Sequence, residues 1–377
     1  MFYIVFGFKK IYIFLAFTFQ FNMEDPRIIK AAKTLVEWSA QIKKNDYVQI
    51  ITDPAAEYLA LEVYKRVLQK GAYPQLYVSL PGQAHTYYKY ASEEQLRNFP
   101  GMKMYEMKKT QAVISIGAPL NTRELSDTDP KRISMRQKTL EKLSKYRTEH
   151  TKWVIFYYPT DALAQEADMA LTDFRDFVFK ATNVDWSKTQ KEMVRLKKIL
   201  EKKNKIRVIS KETDLTFSVK GRTFIASSGR FNMPDGELFT APLEKSANGK
   251  IYYDFPAIYS GREVVGIRLE FKNGKVVKAA AEKNESFLKE MIKTDKGASY
   301  LGEFGIGMNY NIKRFVKNIL FDEKIGGTVH FALGVGYKEC GSKNKSAIHW
   351  DMIKDLRKTG EIYADGKLIY QKGKFII

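Results

Sequence analysis

The chain has 377 residues, 44% hydrophobic and 28% charged, with a single cysteine, Cys340. This composition excludes a wholly disordered chain, a collagen-like repeat and a disulfide-stapled miniprotein, and one thiol cannot build a cysteine-rich zinc cluster. Against 63 Lys and Arg stand 43 Asp and Glu, a net charge of +20. The basic runs are short, as in Lys43-Lys44, Lys197-Lys198 and Lys202-Lys203, and no nucleic-acid motif accompanies them. A solvated Lys/Glu surface is therefore expected, and no nucleic-acid partner.

Residues 1–22, MFYIVFGFKKIYIFLAFTFQFN, hold seven Phe and two Tyr. The uncharged run from Ile11 to Phe19 is shorter than the roughly 20 residues that span a bilayer. Lys9 and Lys10 follow apolar residues instead of leading them, and no small-residue cleavage site closes the segment, unlike a signal peptide. The expectation is a non-native extension with translation starting at Met23; the alternative is a weak anchor. No stable membrane insertion is expected, and one unpaired cysteine fits a reducing compartment, the cytoplasm.

From Asp25 the pattern alternates between helix and strand. Asp25 and Pro26 suit the N-cap and first position of a helix, and Ile28, Ile29, Ala32, Leu35, Val36 and Ile42 recur at helical spacing. Tyr47 to Thr52 reads as a strand, Asp53-Pro54 opens a helix to about Lys70, Gly71 stops it, and Gln75 to Leu80 is the next strand. This βαβ unit predicts parallel pairing. Ala112 to Gly117 and Trp153 to Tyr158 are further buried strands, with a helix from about Lys131 to Tyr146 between them. The charged helix Ser187 to Lys203 bridges to a second half of short strands. There Asn273-Gly274 joins Val264–Phe271 to Lys275–Ala280, Asp365-Gly366 joins Glu361–Tyr363 to Leu368–Tyr370, and one helix spans about Glu282 to Lys293. The expected fold is an α/β N-terminal domain with a mostly parallel sheet, residues 23–204, plus a strand-rich α+β C-terminal catalytic domain, residues 205–377.

The first βα junction, Thr52-Asp53-Pro54-Ala55, has no glycine, so the dinucleotide fingerprint is missing where it would have to lie. Gly302, Gly305 and Gly307 match no Walker spacing. Histidine is the sharper signal. There are four, His85, His150, His330 and His349; the first two sit in polar, loop-like stretches and read as surface residues. In Ile348-His349-Trp350-Asp351-Met352 the strand period puts imidazole and carboxylate on one face, with an apolar row behind them. In Val329-His330-Phe331-Ala332-Leu333 it pairs His330 with the small Ala332. Carboxylates stand nearby in sequence: Glu303 in the Leu301-Gly302-Glu303 turn, Asp322-Glu323 after Ile319–Phe321, and Glu237 after the Pro234-Asp235-Gly236 turn. Two imidazoles and several carboxylates without a thiolate suit Zn, Co or Mn, and the surplus of carboxylates suggests a pair of ions. The competing reading is satisfied core histidines and solvated acids.

The segments Asn232–Pro242 (NMPDGELFTAP), Tyr300–Glu303, Leu320–Glu323, His330–Gly334 and Ile348–Asp351 resemble, in that order, the thermophilic metallo-aminopeptidases of the aminopeptidase T group. The resemblance implies two divalent metal ions per chain (Zn, Co or Mn), held by Glu237, Glu303, Glu323, His330, His349 and Asp351, with Glu303 bridging. It implies Tyr337 as an active-site hydroxyl aimed at the oxyanion, and Glu303 or Glu323 as proton carrier. It also implies peptide substrates with a free N-terminus and a homodimer. Three departures stand out: the Glu323–His330 spacing (EKIGGTVH) is longer than in bacterial members, Lys324 stands where they carry Asn, and the loop from Tyr337 to His349 is shorter than theirs. A binuclear hydrolase of another bond and a basic nucleic-acid-binding protein are the alternatives. Cys340 has no expected role.

Overall fold

The computed structural model describes residues 25–259 and 261–377; the readings made on residues 1–22 lie outside them. Asp25 caps the first helix, Pro26–Lys33, its carboxylate accepting from the Arg27 backbone N–H at 2.9 Å. Four strands follow, β1 (Tyr47–Thr52), β2 (Tyr73–Val78), β3 (Ala112–Gly117) and β4 (Lys152–Tyr157). They pair in the order β2-β1-β3-β4, all parallel, and the short strand Asn232–Met233 extends the sheet beyond β4. Parallel pairing needs crossovers. The helix Glu57–Gln69 between β1 and β2 and the helix Pro130–His150 between β3 and β4 supply two of them. β2 starts two residues earlier than its pattern suggested, taking in Tyr73 and Pro74. Pro74 is tolerated because β2 is an edge strand, bonded on one side only.

The second half begins after the helix Trp186–Leu200 and is antiparallel throughout its two large sheets. An eight-stranded sheet runs from Lys275–Ala280 at one edge to Lys374–Phe375 at the other. The expected strand Val264–Phe271 is broken in two, Arg262–Val264 and Arg268–Lys272, because Gly266 turns the chain at φ +68 between them. A five-stranded sheet packs against the larger one. Its members are β5 (Ile225–Ser227), β6 (Glu237–Thr240), β7 (Leu301–Gly307), β8 (Thr328–Gly334) and β9 (His349–Asp355), in the order β9-β8-β7-β6-β5. Phe304, Ile306, Val329, Phe331, Leu333, Trp350 and Met352 are buried in the core that it shares with Phe217 and Leu215 of the larger sheet. Trp350 and Phe331 thus form the apolar row expected behind the candidate ligands.

The two halves share one of their cores. Val316, Leu320, Phe321 and Ile325 pack with the side chains over the parallel sheet, Phe321 lying 5.6 Å from the Phe177 ring and 6.4 Å from that of Phe174. The fold is the expected one, a parallel α/β sheet followed by a strand-rich α+β unit. Two histidine placements differ from expectation. His85 lies on the helix Gln83–Tyr90, its Nε2 3.6 Å from Asp127, and His150 ends the helix Pro130–His150.

Candidate metal centre

Antiparallel register assembles the site. Residues directly opposite one another on neighbouring strands point to the same face, and so do residues two apart on a strand. Glu303 lies opposite Ala332, which lies opposite Asp351; His330 lies opposite Gly305; His349 lies opposite Gly334; and Glu237 lies opposite Gly307. Glu237, Glu303, His330, His349 and Asp351 therefore share one face, and each is met by Ala or Gly on at least one side of the ladder, with Ile353 opposite His330 and Ser227 opposite Glu237 on the other. The space left by those small residues is what the carboxylates and imidazoles fill. A Cβ at Gly305 would overlap the His330 ring, so glycine is required there. Glu303, expected in a turn, is instead a central strand residue. The ladder slips by one residue between Leu301 and Glu303, and this bulge brings Glu303 into line with Ala332.

Two turns deliver the remaining carboxylates. Asp235 accepts hydrogen bonds from Ser227 Oγ and the backbone N–H groups of Gly229 and Gly236, at 2.7–2.8 Å, which fixes the approach to Glu237. Gly236 takes φ +115, against Asn309. Glu323 ends the short helix Ile319–Asp322, capped by Asn318 and anchored by Phe321. Asp322 is buried, not solvated, and accepts from the Val316 backbone at 2.7 Å.

Six side chains from these strands and turns converge. Ligand atoms of Glu237, Glu303 and His330 lie within 4.8 Å of one another, as do those of Glu303, His349 and Asp351 and those of Glu323, His330 and Asp351. His330 Nε2 is 3.3 Å from both Glu237 Oε2 and Glu303 Oε1, and His349 Nε2 is 3.4 Å from both Glu303 Oε2 and Asp351 Oδ2. Glu303 thus turns one oxygen to each histidine. His349 Nδ1 donates to the Val335 carbonyl at 2.7 Å, which leaves Nε2 as the atom facing the carboxylates. Glu237, Glu303 and His330 are 6%, 4% and 0% exposed, and buried Glu237 Oε2 and Asp351 Oδ1 have no hydrogen-bond partner.

Four carboxylates in one buried cluster draw positive charge. Burial pulls the imidazolium of His330 down, but its hydrogen bond to Glu303 and the charge of Glu237 outweigh this and hold it up at about 9. His349 stands at about 12, burial again being outweighed by Asp351 and Glu303. Burial raises Glu237 to about 8, against the pull of Lys324. Burial also opposes ionisation of Glu303 and Asp351, yet the histidines keep both below the usual carboxylate range. Protons on two imidazoles, or cations in their place, satisfy the same demand. The donor set of carboxylate and imidazole, with two buried carboxylate oxygens lacking a hydrogen bond, fits a borderline divalent ion. Tyr337 packs its ring on Phe239 and His349, at 5.3 and 5.5 Å, at the rim. Tyr337 is 46% exposed, yet desolvation on its inner side and the nearby carboxylates hold its hydroxyl above the usual phenol range, so it remains a donor.

Two neighbours were not singled out as site residues from the sequence. Lys324 is fully buried and bonds to both Glu237 and Glu323. Tyr253 is buried with an unpartnered hydroxyl, in the field of Asp351. For Lys324 the departure from Asn was the available signal; for Tyr253 there was none. Cys340 is buried, its thiol pushed up to about 12 by burial, which makes it a poor nucleophile.

The donor set and the buried charge form a cluster that could hold a metal ion. Residues 24–375 match the family described as thermophilic metalloprotease (M29), and the chain belongs to that family. Aminopeptidase 2 of Geobacillus stearothermophilus is 28% identical over 84% of this chain and 85% of its own length. Aminopeptidase AmpS of Bacillus subtilis is 26% identical over 89% of this chain and 94% of its own length. The structure of wild-type AmpT from Thermus thermophilus superposes with a TM-score of 0.82, covering 93% of this chain and 99% of that one at 20% identity, and so supports the fold. The metallo-aminopeptidase class read from the motifs stands.

Proposed function

We propose that this protein is a broad-specificity aminopeptidase that releases N-terminal amino acids through two divalent ions. The ligands would be Glu237, Glu303, Glu323, His330, His349 and Asp351, with Glu303 shared by both ions. The carrying observation is the convergence of these six side chains in one cluster, with Glu237 Oε2 met only by the His330 ion pair and buried Asp351 Oδ1 without a hydrogen bond. When bound, the ions, Zn, Co or Mn, supply Lewis acidity and an acidified water. A carboxylate oxygen of Glu303 or Glu323 left free by the ions would take the proton lost by the attacking water and hand it to the leaving amine. The Tyr337 hydroxyl donates to the oxygen of the attacked carbonyl as it gains charge. The buried carboxylates also offer a counter-charge to the free α-amino group of a substrate, which restricts cleavage to the chain terminus.

A homodimer in the cytoplasm, with units at 23–204 and 205–377, completes the proposal. Among the described residues no helix is long and apolar enough to cross a membrane. The test is metal content after dialysis, paired with hydrolysis of leucyl-p-nitroanilide before and after chelation. Close to two ions per chain, with activity lost and then restored by Co, Zn or Mn, is expected. Activity on phosphate esters but not on aminoacyl-arylamides would assign the centre to another bond, and a metal-free chain unresponsive to added ions would overturn the proposal.

A further inference from the structure

A buried ammonium group needs a reason, because its lost hydration destabilises it unless its partners compensate. Lys324 is 0% exposed. Its Nζ donates to Glu237 Oε1 at 2.9 Å and to Glu323 Oε1, so it touches two of the six candidate ligands directly. Its backbone is equally restrained: the N–H donates to the Phe321 carbonyl and the carbonyl accepts from the Asn309 N–H, both at 3.1 Å. Asp235 adds negative charge on the same side, but its own oxygens are already committed to Ser227, Gly229 and Gly236.

The other side of the cluster is built differently. Both oxygens of Glu303 face imidazoles, and Asp351 pairs with His349. No lysine is hydrogen-bonded to Glu303 or Asp351 among the described residues. The contrast is between carboxylates with one oxygen taken by a lysine and carboxylates paired with imidazoles alone.

We infer that Lys324 is a positioning residue of the metal centre, holding one oxygen of Glu237 and one of Glu323 so that each presents a single oxygen to the ion on its side. The inference rests on the two-metal reading above. It makes the two ion positions unequal: one depends on Lys324, the other does not. Two physical effects of the lysine oppose each other. Its charge repels a neighbouring cation, while its hydrogen bonds orient the ligands; the inference states that orientation dominates.

The experiment is titration of metal-free protein with Co(II), followed by calorimetry and by the visible absorption of the bound ion. Wild type is expected to take up two ions. In Lys324→Met, one binding step is expected to weaken by about 10–100-fold, the usual consequence of losing a hydrogen-bonded partner of a ligand. The other step should stay as in wild type, and the absorption of the weakened ion should change shape as its carboxylates reorient. Lys324→Gln keeps an N–H donor without the charge and should recover part of the loss; it also serves if Lys324→Met does not fold. Unchanged binding, tighter binding, or equal weakening of both steps in a folded variant would each overturn the inference. Wild type that binds no Co(II) would instead sink the two-metal reading itself, before any variant is measured.

Discussion

In the parallel sheet, β3 and β4 bury Val113, Ile114, Val154 and Phe156. In the antiparallel sheet, β7 and β8 are buried along their whole length, yet they carry Glu303 and His330 among their glycines and aromatics. Depth is the same and chemistry is opposite. Apolar side chains in the first sheet stabilise by leaving water. Charged side chains in the second lose hydration and recover it only through one another and through Lys324. A fold that tolerates such a cluster does so where the cluster has work to do, and strongly shifted ionisation is its signature.

The largest test of this contrast exchanges the damage between sheets. Glu303→Gln keeps volume and removes a charge, so bound metal and hydrolysis of leucyl-p-nitroanilide should both be lost while the chain stays folded. Phe156→Ala, at a fully buried position of β4, should cost about 3–5 kcal/mol of stability by denaturant unfolding and leave metal stoichiometry intact. If Phe156→Ala emptied the centre of metal, the two sheets would not be separable in this way.

A smaller effect is expected at the rim. Tyr337→Phe retains the ring packed between Phe239 and His349 and removes only the hydroxyl. The kcat should fall about 100-fold, as for loss of one oxyanion donor, with KM and melting temperature unchanged. A kcat equal to wild type would remove Tyr337 from that role.

The subtlest difference is in pH dependence. His330 stands at about 9 and His349 at about 12, both above the ordinary imidazole value of 6.5. Their protonation therefore supports the metal-free fold fully below pH 6.5, and this support drains away above that, through about 9 for His330 and towards about 12 for His349. The metal-free protein should melt lower at pH 9 than at pH 7. Metal uptake should show the reverse trend, apparent affinity climbing by about tenfold per pH unit for each proton displaced. Parallel trends for the two would show that these histidines do not exchange protons for metal.

Much of the first half was legible because local signals and tertiary demands agree. The Asp25–Pro26 cap, the β1 and β3 runs and the helix from Pro54 all formed where turn chemistry and hydrophobic period pointed. The broken strand at Gly266 and the early start of β2 at Tyr73 depended on strand partners, which no local window contains. In the second half the alternation in Ile348–Met352 was enough to put His349 and Asp351 on one face, because a strand has period two whatever surrounds it.

By itself the sequence determined the donor types, the strand faces and the family motifs; these are properties of residue chemistry and short-range geometry. Only the tertiary structure decided that Glu237 and Glu323 meet His330 and Asp351, since strand order and register join segments far apart along the chain. It alone decided that in Asp322-Glu323-Lys324, which locally reads as a solvated charged turn, Asp322 and Lys324 are buried and Glu323 half-buried. Phe321 is drawn into the core over the parallel sheet, and the charges beside it leave water with it.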